Sequence, residues 1–390
     1  MIPINPHLAG VAEPAIIAVN RWLDGVTFPP ERPLINLCQA APTAPPPEPL
    51  RAAMARALEQ RADVHLYGSG KGSGDLRAAL AARTAALYGG AVTPEQVTMT
   101  AGCNQAFCTA VSSLCGPGDA VMLPFPWYFN HKMWLDMNAI ECVPLPCNTA
   151  MLPDLDAARG LMTDRVRAVV LVTPNNPTGA EYPDGLMNAF YDLARQHGAA
   201  LVVDETYRDF HSGDGPPHTL FQRADWPDGL IHLYSFSKAY RMTGHRVGAI
   251  IAGGRFLDEV EKYLDALMIC TTQIAQVGAL FGLEHLDEFV AVERAEYLTL
   301  KAALAEGFAD RLPGWRLQGL GAYFAWATPP GNLGAEAAAR RLLAEQSLLV
   351  LPGTMFLPEG FEDGALRIAF ANADVAGIAE VIERLARFAG

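Results

Sequence analysis

The chain has 390 residues, 51% of them hydrophobic, and at this length we expect two domains, because single cores stop growing near about 250–300 residues. Its formal net charge of −13 argues against a nucleic-acid partner, since DNA and RNA are bound through their negative phosphates. The first residues lack the features of a secretion signal and no apolar run reaches bilayer length, so we expect a cytoplasmic protein without a membrane partner.

Short apolar runs predict buried β-strands in the first part of the chain. They are VTMTA (97–101), AVMLP (120–124), RAVVLVTP (167–174), AALVVDE (199–205), LIHLYSF (230–236) and VGAIIAG (247–253). Helical patterns lie between most of them, including residues 103–115 and 186–198. Strands without polar alternation, separated by helices, are typical of a mostly parallel sheet that helices cover on both faces. We therefore predict an α/β fold.

The order of elements changes after about residue 285. The predicted elements there are a charged amphipathic helix (289–312), a strand (322–327), a helix (336–347), strands at 348–353 and 366–371, and a closing helix. This order is typical of a separate α+β unit. The Pro-rich stretch 40–50 predicts a linker. We therefore expect a large domain at 46–285 and a smaller α+β domain at 286–390 that is joined by an N-terminal arm, 1–45.

Some common kinds of site find no support in the sequence. The Gly-rich stretch 67–80 resembles a nucleotide loop, but Lys71 is followed by Gly72 rather than by Ser or Thr, and the glycine spacing is not GxGxxG. A flexible turn before a helix is the better interpretation. The seven cysteines contain no CxxC pair, so we expect reduced thiols. HExxH, GxSxG and metal-ligand clusters are absent from the sequence, and we expect no metal site.

Polar residues follow three of the predicted strands at the point where each strand ends. The segments are TPNNPTG (173–179), DETY (204–207) and SFSK (235–238), the last containing one of only five lysines. Ligands of open α/β sheets bind at the carboxyl ends of the strands, so we expect an amide, a carboxylate, a phenol and an amine to converge on one crevice. Taken singly, Asp204 could cap a helix and Asn176 could brace its turn.

NNPTG, DETY and SFSKAYRMTGHRVG occur in the order and at about the spacing of a known family. With these motifs the chain resembles, over essentially its whole length, the pyridoxal-phosphate enzymes of aminotransferase class I/II, known as fold type I. The resemblance implies pyridoxal 5′-phosphate as the cofactor. It also implies a large domain with a mostly parallel sheet sandwiched by helices, a smaller α+β domain and a homodimer.

The resemblance assigns roles around the cofactor ring. Lys238 matches the family lysine that forms a Schiff base with the cofactor aldehyde, which requires an amine whose pKa burial has lowered. Asp204 matches the carboxylate that pairs with the pyridine nitrogen and keeps the ring an electron sink. Asn176 and Tyr207 match the pair that hydrogen-bonds the ring 3′-oxygen.

The resemblance also implies a phosphate site. The matching residues are Ala101, Gly102, Cys103, Ser235, Ser237 and Arg246. The first three lie where a strand joins a helix, so their backbone N–H groups would cradle a dianion. Cys103 occupies a position that a hydroxyl residue often holds in the family, and its backbone contact would survive that change.

Further aromatic and imidazole groups are assigned in the same way. Tyr128 falls where the family places an aromatic ring over the pyridine face, although a one-residue slip would exchange it with Trp127. Tyr67 resembles the tyrosine that reaches the phosphate of the neighbouring subunit. His131 either supports Asp204 from behind or is an ordinary packed histidine.

Substrate binding is expected at the small domain. Arg367 matches the arginine that holds the substrate α-carboxylate, which a planar guanidinium grips through two parallel hydrogen bonds. Asn176 is also expected near the substrate. The family segment that lines this pocket usually ends in Gly-x-Pro, whereas this chain has Ala40 or Ala41, depending on the alignment. The sequence assigns no second arginine to the distal group of a dicarboxylate.

These matches imply transfer of an amino group from an L-amino acid to a 2-oxo acid by a ping-pong mechanism. Enzymes of the same fold also catalyse β-elimination from cysteine conjugates and oxygen-using oxidation or hydroxylation of amino acids. They share the cofactor-binding residues, so the motifs alone leave these alternatives open.

Overall fold

A computed structural model describes residues 2–388. The helices are α1 Pro6–Ala9, α2 Ala15–Asn20, α3 Glu48–Gln60, α4 Gly74–Tyr88, α5 Cys103–Leu114, α6 Phe129–Met137, α7 Leu155–Leu161, α8 Asp184–Gln196, α9 Gly254–Met268, α10 Gln273–His285, α11 Asp287–Arg311, α12 Ala335–Gln346 and α13 Val375–Ala386. The strands are β1 Ile35–Asn36, β2 Val97–Thr100, β3 Ala120–Phe125, β4 Glu141–Pro146, β5 Val166–Val172, β6 Ala200–Asp204, β7 Leu230–Ser235, β8 Gly248–Ile251, β9 Arg316–Gly321, β10 Phe324–Thr328, β11 Leu348–Leu349, β12 Leu351–Pro352 and β13 Leu366–Ala369.

The central sheet has seven strands in the order β2-β8-β7-β6-β5-β3-β4. Strand β8 runs antiparallel to both of its neighbours, and the other pairs are parallel. Val172 at the end of β5 pairs with Asp204 at the end of β6, and Asp204 pairs with Leu233 of β7. The carboxyl ends of these three strands are therefore aligned at one edge. The predicted α/β fold with a mostly parallel sheet is confirmed.

Helices cover both faces of this sheet, because alternate residues of each strand point to opposite sides. On β5, Val169 and Leu171 join one buried cluster together with Phe190 of α8. Val170, between them, joins a second buried cluster with Phe107 of α5. Burying each such side chain contributes about 1.5–3 kcal/mol relative to exposure. The strand sequences are accordingly mostly apolar.

The second sheet is antiparallel, with the strand order β12-β13-β10-β9. Arg367 lies in β13 between its neighbours, opposite Trp326 of β10 and Leu351 of β12. Strand β1 of the N-terminal arm pairs with β11, with Ile35 opposite Leu348. The N-terminal arm is thereby joined by main-chain hydrogen bonds to the C-terminal part of the chain.

The strands differ from the sequence prediction in several places, and β1 and β9 were not predicted. Strand β4 was not predicted because Pro144 and Pro146 interrupt its pattern, but β4 lies at the sheet edge, where a missing N–H is tolerated. The stretch 348–353 was predicted as one strand and forms two, β11 and β12, which pair in different sheets.

Between residues 2 and 388, none of the helices combines the length and apolar character needed to cross a membrane.

Candidate active site

A cavity of about 430 Å³ opens at the carboxyl ends of β5, β6 and β7. The predicted site residues that line it are Ala41, Cys103, Tyr128, Asn176, Asp204, Tyr207, Ser235, Ser237, Lys238, Arg246 and Arg367. Ala101, Gly102 and Tyr67 were also predicted but do not line it. The structure thus brings most of the predicted side chains into one space, although they are up to 326 positions apart in the printed sequence.

Lys238 lies three residues beyond the end of β7, with its side chain in the cavity. Its Nζ donates a hydrogen bond of 2.7 Å to the carbonyl oxygen of Ala40. Burial, reinforced by the positive charges of Arg367 and Arg246 and opposed by the negative charge of Asp204, lowers the pKa of Lys238 from 10.5 to about 8. About a tenth of this amine is therefore neutral, and nucleophilic, at pH 7.

Asp204 ends β6 and is surrounded by donors. Its Oδ1 accepts from the backbone N and the hydroxyl of Thr206, at 3.0 and 2.8 Å, and from Cys103 Sγ at 3.4 Å. His131 Nε2 lies 3.3 Å from Oδ2, and the imidazole stacks on Phe107. Burial raises the pKa of Asp204, but the contacts with His131 and Thr206 outweigh it and hold the pKa below its ordinary value. The group is therefore a carboxylate at neutral pH. His131 both packs on Phe107 and contacts this carboxylate.

Cys103 turns its side chain toward Asp204. Burial, reinforced by the negative charge of Asp204, raises the pKa of the Cys103 thiol well above its ordinary value. The group is therefore a protonated donor to the carboxylate and is poorly suited to bind an anion itself. The family often has a hydroxyl residue at this position, which could contact the phosphate. In this chain the Cys103 side chain contacts Asp204 instead.

Helix α5 begins at Cys103, beside the cavity. Of the three backbone N–H groups predicted to bind the phosphate, two already have hydrogen-bond partners within the chain. The N–H of Ala101 donates to Gln105 Oε1 at 2.6 Å, and that of Gly102 donates to the Thr100 carbonyl at 2.8 Å. Those two N–H groups are already paired within the chain. The first turn of α5 has no side-chain cap at Gly102, so the helix N-terminus offers its own N–H groups to an anion.

Arg246 and two serine hydroxyl groups lie close together at the same end of the cavity. Its Nη1 donates to Ser237 Oγ at 3.4 Å and to the Thr243 carbonyl at 3.1 Å. The backbone N of Ser237 donates to Ser235 Oγ at 3.2 Å. Gly102 has a φ of +83°, and a Cβ there would lie 2.3 Å from Arg246 Nη2. A glycine is therefore required for the guanidinium to approach the start of α5.

Arg367 enters the cavity from β13. Its Nη1 donates to Asn176 Oδ1 at 2.9 Å, and its Nη2 donates to the carbonyl of Cys38. Its Nε–H is buried and has no partner among residues 2–388. Burial lowers the pKa of Arg367 to about 10, so the guanidinium is charged at neutral pH. A buried cation with an unused donor is suited to receive an anionic ligand.

The aromatic residues assigned to the site differ in whether they line the cavity. Tyr128 lines the cavity, and its hydroxyl donates to Asn104 Oδ1 at 3.3 Å. Trp127 is buried in the hydrophobic cluster beneath and does not line this cavity. The Tyr207 ring lies 5.6 Å from Lys238 Nζ. Burial raises the pKa of Tyr207 well above its ordinary value, so the hydroxyl stays protonated at neutral pH.

The segment that carries Ala40 and Ala41 lies against the cavity cations. Both alanines line the cavity, and the Ala41 N–H donates to Asn372 Oδ1 at 3.3 Å. The Asn372 amide donates to the carbonyl of Gln39. The carbonyls of Cys38, Gln39 and Ala40 therefore accept hydrogen bonds from the side chains of Arg367, Asn372 and Lys238, of which Arg367 and Lys238 line the cavity.

Tyr67 lies on the surface away from this cavity. Its side chain is 80% exposed and that of the preceding Leu66 is 66% exposed. The adjoining Gly68 N–H contacts Cys270 Sγ at 3.4 Å, so the segment lies against the turn after α9. Within a single chain, Tyr67 is therefore not part of the site.

Some cavity residues were not predicted from the sequence. Asn104, Thr206, Ile16 and Phe129 all line the cavity. Thr206 lies inside the DETY motif and Asn104 is the second residue of α5, so their positions beside predicted residues could have identified them. Ile16 and Phe129 carry no motif, and only the folded structure brings them to the site.

Comparisons with known proteins agree with this geometry. The family described as "Aminotransferase class I and II" matches residues 32–385. The chain is 27% identical over 367 residues to the aspartate aminotransferase of Thermotoga maritima, covering 91% of each protein. It is 29% identical over 320 residues to an aromatic aminotransferase of Arabidopsis thaliana, covering 79% of this chain and 78% of that protein.

The solved structure of the Thermus thermophilus aspartate aminotransferase with maleate is similar throughout. It superposes with a TM-score of 0.89 at 27% identity, covering 99% of this chain and 100% of that one. Because the family match spans nearly the whole sequence and this structural match includes both sheets, the chain belongs to the class I and II aminotransferase family.

Proposed function

We propose that the protein is a pyridoxal-phosphate-dependent aminotransferase that moves an amino group from an L-amino acid to a 2-oxo acid. The observation that carries the proposal is the Lys238 amine, whose pKa is lowered to about 8, in one cavity with a carboxylate, Asp204, and two arginines, Arg246 and Arg367. Its family is pyridoxal-phosphate-dependent, and the ping-pong mechanism is general in it.

The residues fit the cofactor at its phosphate end. Arg246, Ser235 and Ser237 would hold the phosphate together with the N-terminus of α5, whose first residues are Cys103 and Asn104. The close approach of Arg246 to the start of α5 brings a full positive charge to the positive end of the helix, an arrangement that favours a bound dianion.

The residues also fit the cofactor ring. Asp204 would face the pyridine nitrogen, Asn176 and Tyr207 the ring oxygen, and Tyr128 the ring face. When bound, pyridoxal phosphate supplies an aldehyde and an electron-withdrawing ring that stabilises negative charge at the substrate α-carbon. Asp204 is held as a carboxylate by its neighbours, and it would favour a proton on the pyridine nitrogen of the bound cofactor. Tyr207 remains protonated and would donate a hydrogen bond to the ring oxygen.

Lys238 and Arg367 act on the substrate. The pKa of Lys238 is about 8, so its amine gains and loses a proton readily near neutral pH. Lys238 Nζ would take the proton from the substrate α-carbon and give it back later in the transfer. Arg367 binds the α-carboxylate through its unpartnered Nε–H and an Nη that now contacts Asn176 or Cys38. That grip fixes the α-carbon within reach of Lys238.

We propose a homodimer in which Tyr67 reaches the phosphate site of the partner subunit. Leu66 and Tyr67 are exposed, and the next residue, Gly68, contacts Cys270 beside the exposed Ile269. A patch of large apolar side chains supports an interface with a second copy of the chain.

The remaining expectations are also proposals. A cofactor-binding domain at 46–285 and a smaller domain at 286–390 with the arm 1–45 agree with the separate central and C-terminal sheets. A cytoplasmic location is supported by all seven cysteines being free thiols.

The proposal is tested with cofactor-loaded protein and one amino acid at a time. We expect the visible cofactor absorbance to be lost, one equivalent of 2-oxo acid to be released per site, and the absorbance to return when a second 2-oxo acid is added. Lys238→Ala should abolish the change, and Lys262→Ala, at an exposed lysine of α9, should not. Release of ammonia with pyruvate, or consumption of oxygen, would instead establish β-elimination or oxidation.

A further inference from the structure

We propose that the cavity selects amino acids with an uncharged apolar or aromatic side chain over aspartate and glutamate, and that Ile16 and Phe129 determine this preference. The inference rests on the proposed aminotransferase function and goes beyond it by naming the substrate class. It follows from an apolar wall on one side of the cavity and from the engagement of every charged group that lines it.

The apolar wall comes from the first residues of two helices. Pro14 and Ile16, at the start of α2, and Phe129, at the start of α6, line the cavity. Ile16 and Phe129 pack against the same buried cluster, which includes Val19 and Phe356. The Phe129 and Phe356 ring centroids are 5.6 Å apart. The wall is therefore anchored in a core and is rigid enough to select by shape and polarity.

The charged residues that line the cavity within residues 2–388 are Asp204, Lys238, Arg246 and Arg367. Asp204 is held by Thr206 and Cys103 as the partner of the ring nitrogen. Each of the three cations has its own proposed partner. Lys238 bonds to the aldehyde carbon, Arg246 binds the phosphate and Arg367 binds the α-carboxylate.

A dicarboxylic substrate would therefore bring a second carboxylate to a wall of Ile16 and Phe129 without a further cation of the same subunit to meet it. Removing a carboxylate from water without a partner is costly, whereas an apolar side chain gains free energy from the same burial. The cavity thus discriminates by the polarity of the substrate side chain.

Two measurements on the cofactor-loaded protein test the substrate class. Half-reactions with leucine, phenylalanine, aspartate and glutamate should give kcat/KM values at least about 100-fold higher for the neutral pair, the factor expected when a charged group is left unpaired. Calorimetric titration with unreactive carboxylates should show 4-methylpentanoate binding more tightly than succinate.

The outcomes separate this inference from the proposed function. If aspartate or glutamate reacts as well as leucine and phenylalanine, the aminotransferase function holds and the selectivity is wrong. If no amino acid reacts, the proposed function fails, and tighter binding of succinate than of 4-methylpentanoate would then overturn the selectivity separately.

A matched pair of variants tests the assigned residue. Ile16→Arg should raise the ratio of kcat/KM for aspartate to that for leucine by at least about 10-fold, because it supplies the missing cation. Ile17→Arg is the control, since Ile17 is the next residue of α2, is 51% exposed and does not line the cavity. If Ile16→Arg does not fold, Ile16→Ala should lower kcat/KM for leucine relative to alanine. An unchanged ratio in the folded variant would overturn the assignment.

Discussion

Replacing Lys238 by methionine should stabilise the cofactor-free protein in a pH-dependent way. The pKa of Lys238 falls from 10.5 to about 8 on folding, which corresponds to a cost of about 3 kcal/mol for keeping the amine charged. Methionine removes that cost but also leaves the Ala40 carbonyl without its 2.7 Å donor, an opposing loss of about 1 kcal/mol. We therefore expect a gain of about 2 kcal/mol at pH 7.

The pH dependence follows from which state holds the proton. Between pH 8 and pH 10.5 the unfolded lysine is protonated and the folded one is neutral, so the stability of the unsubstituted protein rises with pH across this window. The gain from Lys238→Met is therefore complete below pH 8 and falls by about 2–3 kcal/mol by pH 10.

Urea unfolding of the cofactor-free proteins at one fixed concentration, from pH 7 to pH 10, measures this gain. Lys262→Met is the matched control, because the Lys262 side chain is 71% exposed and its removal relieves no burial. A stability difference for Lys238→Met that is the same at pH 7 and pH 10 would refute the lowered pKa, and with it the claim that burial prepares this amine for reaction.

Three further substitutions test the other groups of the site. Asp204→Asn should keep the cofactor bound but lower kcat by about 100-fold, since a neutral amide cannot hold the ring nitrogen charged; an unchanged kcat in steady-state assays would exclude this role. Arg367→Lys should raise KM for the amino acid about 10-fold with a smaller change in kcat, because an ammonium cannot bind a carboxylate through two parallel hydrogen bonds; a change confined to kcat would contradict it. Gly102→Ala should weaken cofactor binding at least about 10-fold, because the added Cβ would lie 2.3 Å from Arg246 Nη2. Gly118→Ala shares the positive φ but has open space around it, so equal cofactor dissociation constants for the two variants would argue against this phosphate site.

Much of the large sheet could be predicted from the sequence because most of its strands are mainly apolar runs that are buried on both faces. The edge strand β4 could not, since its prolines are tolerated only where one side of the strand is unpaired. The stretch 348–353 was predicted as one strand because its apolar pattern is continuous, and the division between two sheets depends on tertiary pairing.

In the candidate site, too, residues in sequence motifs could be predicted, whereas residues placed by tertiary packing could not. Residues in motifs, such as Asp204 and Lys238, reach the cavity because strand ends in a parallel sheet are aligned. The direction of the Cys103 side chain could not be predicted, because it depends on the distance to Asp204 across two elements. Ile16 and Phe129 come from helix starts far apart in sequence, and only packing on a shared core brings them together.

The most direct test of the account is to find which residue bonds to the cofactor. The protein loaded with pyridoxal phosphate would be reduced with borohydride, digested and analysed by peptide mass spectrometry. We expect the pyridoxyl-phosphate mass on Lys238 and on none of the other four lysines, with no such adduct in Lys238→Ala. An adduct on another lysine, or one that persists in Lys238→Ala, would contradict the central claim.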